Sequence, residues 1–265
     1  MPLPPARNRF RNGFTLVELL VAMAIIAVLA TITFTAATSA QQKANMKLAA
    51  EKLRSVGTAF ITYASDNNGA IPWEDSVVGS NDWAGAALPQ NADVWYNALP
   101  LLMGAQPVGE LGANPAVFYD ESYPLYLRGA GYPGENKRAK EPFFAFAMNS
   151  RLQRKAKDSD GIPEPGAVKP TGRIGSIVDP GRTVAFLERG LPRDGKSDKR
   201  LGGYDGFPKA NARNFVCRYN GKGLLLFVDG HIDAFEPSDL LDAGGRVIQP
   251  QERIVWTPDP ESNPD

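Results

Sequence analysis

The feature that most constrains this 265-residue chain is an apolar run close to its N-terminus. From Leu16 to Ala37 the sequence carries a single charged residue, Glu18. At 1.5 Å per residue this run forms about 33 Å of α-helix, which matches the roughly 30 Å hydrocarbon core of a bilayer. The run therefore predicts a membrane-spanning helix.

Basic residues precede this run and fix its expected orientation. Arg7, Arg9 and Arg11 lie within residues 1–13, which contain no acidic residue. The positive-inside tendency then places the N-terminus in the cytoplasm and the rest of the chain outside it. An ordinary secretory signal is cut after its apolar core, whereas here the small residue Gly13 stands before the run. We expect the apolar helix to be retained after processing.

Glu18 has two compatible explanations. Thr15 and Glu18 are three residues apart, the spacing of a capping box that satisfies the first free amides of a helix. A carboxylate at bilayer depth also costs a few kcal/mol on insertion scales and usually has a partner. The positive amine that cleavage before Phe14 would create is the natural partner of this carboxylate.

Residues 13–20, Gly-Phe-Thr-Leu-Val-Glu-Leu-Leu, resemble the N-terminal signature of type IV prepilins and type II secretion pseudopilins. The resemblance implies cleavage between Gly13 and Phe14 by a prepilin peptidase, and N-methylation of Phe14. It also implies a filament in which Glu18 meets the Phe14 amine of a neighbouring subunit. The implied partners are the peptidase, other copies or related pilin subunits, the inner-membrane assembly machinery, and the lipid bilayer before assembly.

The helix is expected to continue beyond the membrane as a one-sided, amphipathic helix. No proline occurs from Phe14 to Ile71, and turn-forming residues accumulate from Asp66 to Gly69. An apolar stripe at three- and four-residue spacing predicts packing on a domain; it comprises Met46, Ala49, Leu53, Val56, Phe60 and Tyr63. The expected organisation is a leader (1–13), a membrane and assembly half of the helix (14–37), an amphipathic half (38–66) and a globular domain (67–265) with a loosely held tail from about residue 250.

The globular part is expected to begin with loops and short helices between residues 70 and 140, where the likeliest helix spans Val94 to Met103. Its aromatic residues would suit a sugar or peptide surface, but packing on the core is the commoner explanation; they are Trp73, Trp83, Trp95, Tyr96, Tyr119, Tyr123 and Tyr126. Apolar runs further on predict strands at 143–148, 183–187, 214–218, 223–228 and 231–235.

Asp229-Gly230 is expected to form a two-residue turn between the last two strands. This turn pairs Phe227 with Ile232 and Leu225 with Ala234 on the face that packs against the helix, and it places His231 on the other face. With the long helix, these strands predict an α+β, pilin-like fold: the helix packs on an antiparallel sheet, with loop-rich insertions.

The C-terminal part resembles a subgroup of prepilin-like proteins that share a histidine, nine intervening residues and Asp-Gly. Here Tyr219 stands at the histidine position, and Asp229 and Gly230 follow in the same frame. The substitution argues against chemistry at this position and favours a structural motif in which a ring packs at the start of a strand.

The sequence offers no catalytic, cofactor or metal site. His231 is the single histidine and Cys217 the single cysteine, and no nucleophile motif or phosphate loop is present. Asp229, His231 and Asp233 are ligand types around one turn, but a turn aspartate beside a surface histidine explains them more simply. Asp158-Ser159-Asp160-Gly161 starts like a calcium loop but lacks the later glutamate, although calcium is known among major pseudopilins.

The expected function is structural rather than enzymatic: a prepilin or pseudopilin that is cut, then polymerised into a type IV pilus or a type II secretion pseudopilus. Removal of the leader leaves 26 basic and 29 acidic residues, a balance that makes nucleic acid an unlikely partner. The expected location is the inner membrane, with one span and an extracytoplasmic domain, and afterwards the filament. The alternative is a membrane-anchored envelope protein whose domain binds a ligand or carries an enzyme.

Overall fold

The computed structural model describes residues 15–152 and 172–264. The chain forms two compact units, Met1–Gln41 and Gln42–Asp265. The α-helices are α1 (Leu16–Asp66), α2 (Trp83–Ala86), α3 (Trp95–Leu102), α4 (Glu135–Arg138) and α5 (Pro237–Leu240). The strands are β1 (Phe146–Asn149), β2 (Val184–Glu188), β3 (Lys209–Ala210), β4 (Gly223–Phe227) and β5 (Ile232–Phe235). Short 3-10 helices occupy Pro89–Asn91, Val108–Glu110, Ile174–Ser176 and Ala212–Asn214.

The end of α1 lies where the sequence predicts it. The helix stops at Asp66 because Asn68 and Gly69 adopt positive φ angles of 54° and 81°. Gly69 N–H then donates to the carbonyl oxygen of Ala64 at 2.7 Å, which satisfies one of the free carbonyls of the last turn. Asparagine and glycine tolerate this left-handed conformation better than other residues, so these two residues determine where the helix ends.

The apolar stripe of α1 beyond residue 42 packs on the sheet as predicted. Its central members Ala49, Leu53, Val56 and Phe60 are buried, and Met46 and Tyr63 are half-buried at the two ends. Gly57 lies at a close approach of the helix to the sheet: a Cβ atom at this position would lie only 2.9 Å from Leu226 Cδ1. The glycine therefore lets the helix approach β4.

The sheet has five strands in the order β3-β1-β2-β4-β5. All neighbouring pairs are antiparallel except β1 and β3, which are parallel. The fold is therefore α+β, with a long N-terminal helix and a mostly antiparallel sheet, as the sequence predicts. Four predicted strands correspond to β1, β2, β4 and β5, although β1 begins only at Phe146.

The strand predicted at residues 214–218 is wrong. Asn211 caps a 3-10 turn over Ala212–Asn214, because its side chain accepts from the Arg213 amide while Asn214 bonds back to the Asn211 amide. Phe215 then makes only an isolated antiparallel bridge with Arg189. The local capping residues outweigh the apolar run that follows them, and the short strand β3 lies earlier, at Lys209–Ala210.

The predicted register of the last hairpin is wrong by one residue. Leu226 pairs with Ile232 and Leu224 with Ala234. The loop has three residues, because Phe227 N–H donates to the His231 carbonyl oxygen at 3.0 Å and Gly230 alone has a positive φ, of 93°. This is the three-residue type of hairpin loop, in which a left-handed glycine follows a turn, rather than a two-residue turn.

The shifted register exchanges the two faces of the hairpin. Leu224, Leu226 and Val228 belong to the core that includes the α1 stripe, whereas Leu225 and Phe227 belong to a second core. Both faces of β4 are buried, so its run of leucines contains no polar residue that would have marked the side facing the helix.

The second core is completed by the C-terminal segment, which differs from the loosely held tail that was expected. Trp256 is 1% exposed and Ile254 is also buried. Val255 forms a parallel bridge with Thr183, next to β2. The prediction of a loose tail rested on the abundance of proline and acidic residues in this segment. Its few apolar residues nevertheless cover the second face of the sheet.

The insertion between residues 70 and 140 consists of loops and short helices, as predicted, and α3 lies within the predicted helix. Most of its aromatic residues are in the core: Trp73, Trp83, Trp95, Tyr96 and Tyr123 are buried. The Trp95 and Phe186 rings meet edge to face at 5.2 Å, which ties the insertion to β2. Burial raises the pKa of Tyr96 to about 12.

Candidate processing and assembly site

The N-terminal part of α1 presents apolar side chains on all sides. Its first apolar residue, Leu16, is 80% exposed, and Leu20 is 62% exposed. By length and composition α1 is suited to crossing a membrane, and it lies near the N-terminus. Exposed side chains of this kind gain free energy only in lipid or against other protein, so the segment fits a membrane anchor.

Glu18 and Thr15 form the predicted capping box at the start of this helix. Thr15 N–H donates to Glu18 Oε2 at 2.9 Å, and Glu18 N–H donates to Thr15 Oγ1 at 3.2 Å. The Thr15 hydroxyl also donates to Glu18 Oε2 at 2.9 Å. The carboxylate is thereby held beside the first residues of the helix. Gly13 and Phe14, the predicted cleavage residues, lie outside the described residues.

Tyr219, in the C-terminal motif, lies at the start of a hairpin that the sequence analysis did not identify. Tyr219 and Lys222 exchange both backbone hydrogen bonds, each of 2.9 Å. Asn220 and Gly221, between them, have φ angles of 49° and 82°. This is the geometry of a type I′ turn, for which Asn-Gly is the strongest sequence signal.

The side chain of Tyr219 is buried beside three charged residues. These four residues are here named the Arg218 cluster: Glu188, Asp194, Arg218 and Tyr219. The Tyr219 hydroxyl donates to Glu188 Oε1 at 2.7 Å, and the Leu224 amide donates to Glu188 Oε2 at 2.9 Å. A ring therefore packs at the start of a strand, and its polar end is bound by a fully buried carboxylate.

Arg218 links the two acidic residues of the cluster. Its Nε and Nη2 atoms donate to the two oxygens of Asp194 at 3.2 and 2.5 Å, whereas Nη1 contacts Glu188 at 3.3 Å. Asp194 also accepts from the amides of Gly131 and Leu191, both at 2.8 Å. The cluster thus joins the insertion, the loop after β2 and the hairpin before β4.

One guanidinium serves two carboxylates in this cluster, and Asp194 has the bidentate contact. The pKa of Glu188 is raised because burial outweighs its contacts with Arg218 and Tyr219. Burial acts to lower the pKa of Arg218, but the charges of Asp194 and Glu188 outweigh it and raise that pKa. Burial also raises the pKa of the Tyr219 hydroxyl.

Asp229 and Gly230, the other end of the C-terminal motif, form the three-residue loop already described. Asp229 Oδ1 accepts from the His231 amide at 3.0 Å and lies 2.6 Å from the ring atom Nδ1. The His231 ring also stacks on Phe227, with 4.2 Å between ring centroids. The histidine and aspartate are therefore a turn pair on the surface. The calcium-like residues 158–161 lie outside the described residues.

Among residues 15–152 and 172–264 no group of three or more histidine, cysteine, aspartate or glutamate side chains is placed to hold a metal ion. Glu188, Asp194 and Arg218 were not predicted from the sequence as members of a site. One signal was available for Glu188, which ends the apolar run of β2 and so carries a charge where burial is expected.

The long helix and the mostly antiparallel sheet define the class, an α+β fold consistent with that of pilins. Residues 8–34 match the family model of the prokaryotic N-terminal methylation motif. This is the prepilin-type cleavage and methylation signal, and it supports a precursor of type IV pilin or pseudopilin type. No curated protein matches the chain, and no solved structure matches it either.

Proposed function

We propose that this protein is a structural subunit of a filament, cut between Gly13 and Phe14 by a prepilin peptidase and polymerised into a type IV pilus or a type II secretion pseudopilus. The observation that carries this proposal is the methylation motif over residues 8–34. The exposed apolar part of α1, which begins within this motif at Leu16, supports the same conclusion, because that surface needs lipid before assembly and other subunits afterwards.

In this proposal the processed chain resides in the inner membrane with its globular unit outside the cytoplasm, and the assembly machinery then draws it into the filament. Glu18 keeps its contact with Thr15 while a free oxygen accepts from the methylated Phe14 amine of a neighbour. A charged pair in lipid-like surroundings favours the assembled state, because each charge alone is costly there. The globular unit has a structural rather than an enzymatic role.

Processing is tested by intact mass measurement and N-terminal sequencing of the protein purified from membranes. We expect a mature chain that begins at methylated Phe14. A chain that retains Met1 and the leader would falsify the filament proposal and favour an anchored envelope protein.

Assembly is tested with Glu18→Ala and Glu18→Gln, scoring membrane insertion and filament incorporation separately. Both variants are expected to insert and to be processed, and both to lose incorporation. Thr15→Ala is the matched control, since it weakens the capping box but leaves the carboxylate. Normal incorporation of Glu18→Ala would show that the carboxylate has no role in assembly.

A further inference from the structure

Within the second unit, Gln42–Asp265, one contact identifies a turn that lies beside Gln42, the residue of this unit that follows the apolar segment most closely in sequence. The Asn220 amide donates to Gln42 Oε1 at 3.0 Å, so the type I′ turn Asn220-Gly221 touches the first residue of this unit. The loop at Gly129 reaches the same region, because a Cβ atom on this glycine would lie 3.2 Å from Asn45 Nδ2.

The distance from this end of the unit to the hydrocarbon is limited by the chain itself. The apolar run ends at Ala37, and Gln42 lies five positions further along the chain. These five steps span about 8 Å as helix and at most about 18 Å when extended. The headgroup layer beyond the hydrocarbon is itself about 5 to 7 Å thick on each side. Because α1 is helical over these residues, Gln42 lies about 8 Å from the end of the apolar run, next to the outer edge of the headgroup layer, and the turn at Asn220 contacts it.

Exposed lysines lie at this end of the unit. Lys43 and Lys47 are exposed and lie four residues apart, on one face of α1. Neither forms an ion pair with any described residue, whereas Lys222 has a 3.8 Å contact with Glu236 in which both side chains are about half exposed. Exposed pairs of this kind are weak, and they leave the lysine able to bind another anion.

We propose that Lys43, Lys47 and Lys222 form a surface that binds anionic lipid headgroups while the subunit awaits assembly. The inference rests on the proposed membrane insertion. A lysine within a Debye length, about 8 Å at physiological ionic strength, is attracted to an anionic bilayer. The effect is about fivefold per lysine. Such a contact holds the globular unit against the bilayer and is broken when the subunit enters the filament.

β4 provides an internal control for this orientation, because it has a turn at each end. The Asn220-Gly221 turn lies beside Gln42, whereas Gly230 lies beside Ile61, where an added Cβ atom would come within 3.4 Å of Cδ1. Gln42 and Ile61 are about 28 Å apart along the helix. This separation exceeds three Debye lengths, so in the proposed arrangement only the first turn lies within the field of the lipid surface.

The test measures amide hydrogen exchange of the full processed chain in nanodiscs of phosphatidylcholine alone or with phosphatidylglycerol. We expect exchange over residues 219–222 to slow by about fivefold or more in the anionic discs, and exchange over residues 228–231 to remain unchanged. High salt is expected to abolish the difference.

The three lysines are then replaced together, with Lys43→Gln, Lys47→Gln and Lys222→Gln in one variant and the corresponding arginines in its matched control. The glutamine variant is expected to lose the lipid dependence, and the arginine variant to keep it. Equal exchange in the two lipids, a lipid dependence retained by the glutamine variant, or equal slowing of both turns would each overturn the inference. Carbonate extraction separates the two proposals, since a chain that is not membrane-integrated contradicts the proposed function itself.

Discussion

The hydrogen bond from Tyr219 to Glu188 is predicted to stabilise the globular unit measurably, and Tyr219→Phe removes it while keeping the ring. The bond is 2.7 Å long, ends on a fully buried carboxylate and lies in a region with almost no exposed surface. Hydrogen bonds to charged groups contribute about 1.5–3 kcal/mol, so we expect a loss of that size in the free energy of unfolding. Glu188 would retain the Leu224 amide and Arg218.

Intrinsic tryptophan fluorescence reports on this unit specifically. The four tryptophans, Trp73, Trp83, Trp95 and Trp256, all lie in the second unit and all are buried. Urea titration of the full chain in detergent, followed by this signal, therefore gives the unfolding of the globular unit without a contribution from the apolar segment.

A double-mutant cycle assigns the effect to the pair. In a Glu188→Gln background the tyrosine donates to a neutral amide, and the cost of Tyr219→Phe should fall to about 0.5–1.5 kcal/mol. Leu99→Val, at a buried position in α3, serves as a variant that alters packing only. Equal costs of Tyr219→Phe in both backgrounds, or a cost below about 0.5 kcal/mol in each, would refute the reasoning.

Three further predictions concern other parts of the globular unit. Gly57→Leu should destabilise it by about 1–3 kcal/mol in urea titrations, because the side chain would overlap Leu226, whereas the exposed Thr58→Leu should stay within about 0.5 kcal/mol. Trp256→Ala should cost about 3–5 kcal/mol by the same assay if the C-terminal segment is part of the core. Glu188 has a folded pKa raised above its ordinary value of 4.5, so its contribution to stability is present below pH 4.5 and is lost as the pH rises through the folded pKa. Urea midpoints from pH 4 to 8 should therefore fall relative to those of Glu188→Gln, and parallel curves would contradict this prediction.

The sequence predicted the parts of the fold that depend on neighbouring residues. The helix stripe, the helix end at Asp66 and the capping box of Glu18 all follow from spacings of a few residues, and the structure contains all three. Apolar runs also located four of the strands. These signals are local, and tertiary packing agrees with them.

The register of the last hairpin was not predictable in the same way. Asn220-Gly221 and Asp229-Gly230 are both turn signals, and only the first forms a two-residue turn. Both faces of β4 are apolar, so the strand lacks the alternation of polar and apolar residues that would have indicated the correct register. The Arg218 cluster could not be predicted from the sequence either, because Arg218 and Glu188 are 30 positions apart and no local pattern links them.

The two turns account for the spacing between Tyr219 and Asp229-Gly230 in this chain. Tyr219 closes one turn, the strand β4 follows, and Asp229 and Gly230 form the loop at its other end. The number of intervening residues is therefore set by the length of β4, which in turn matches the stretch of α1 that it covers from Gln42 to Ile61. The first position needs a ring that packs beside β4 and donates to Glu188, and tyrosine meets both requirements with its hydroxyl. A histidine ring also carries an N–H donor, so both residues satisfy one structural requirement. In this chain the two turns bound the strand that packs against the helix, and Tyr219 adds a hydrogen bond to the buried Glu188 carboxyl group.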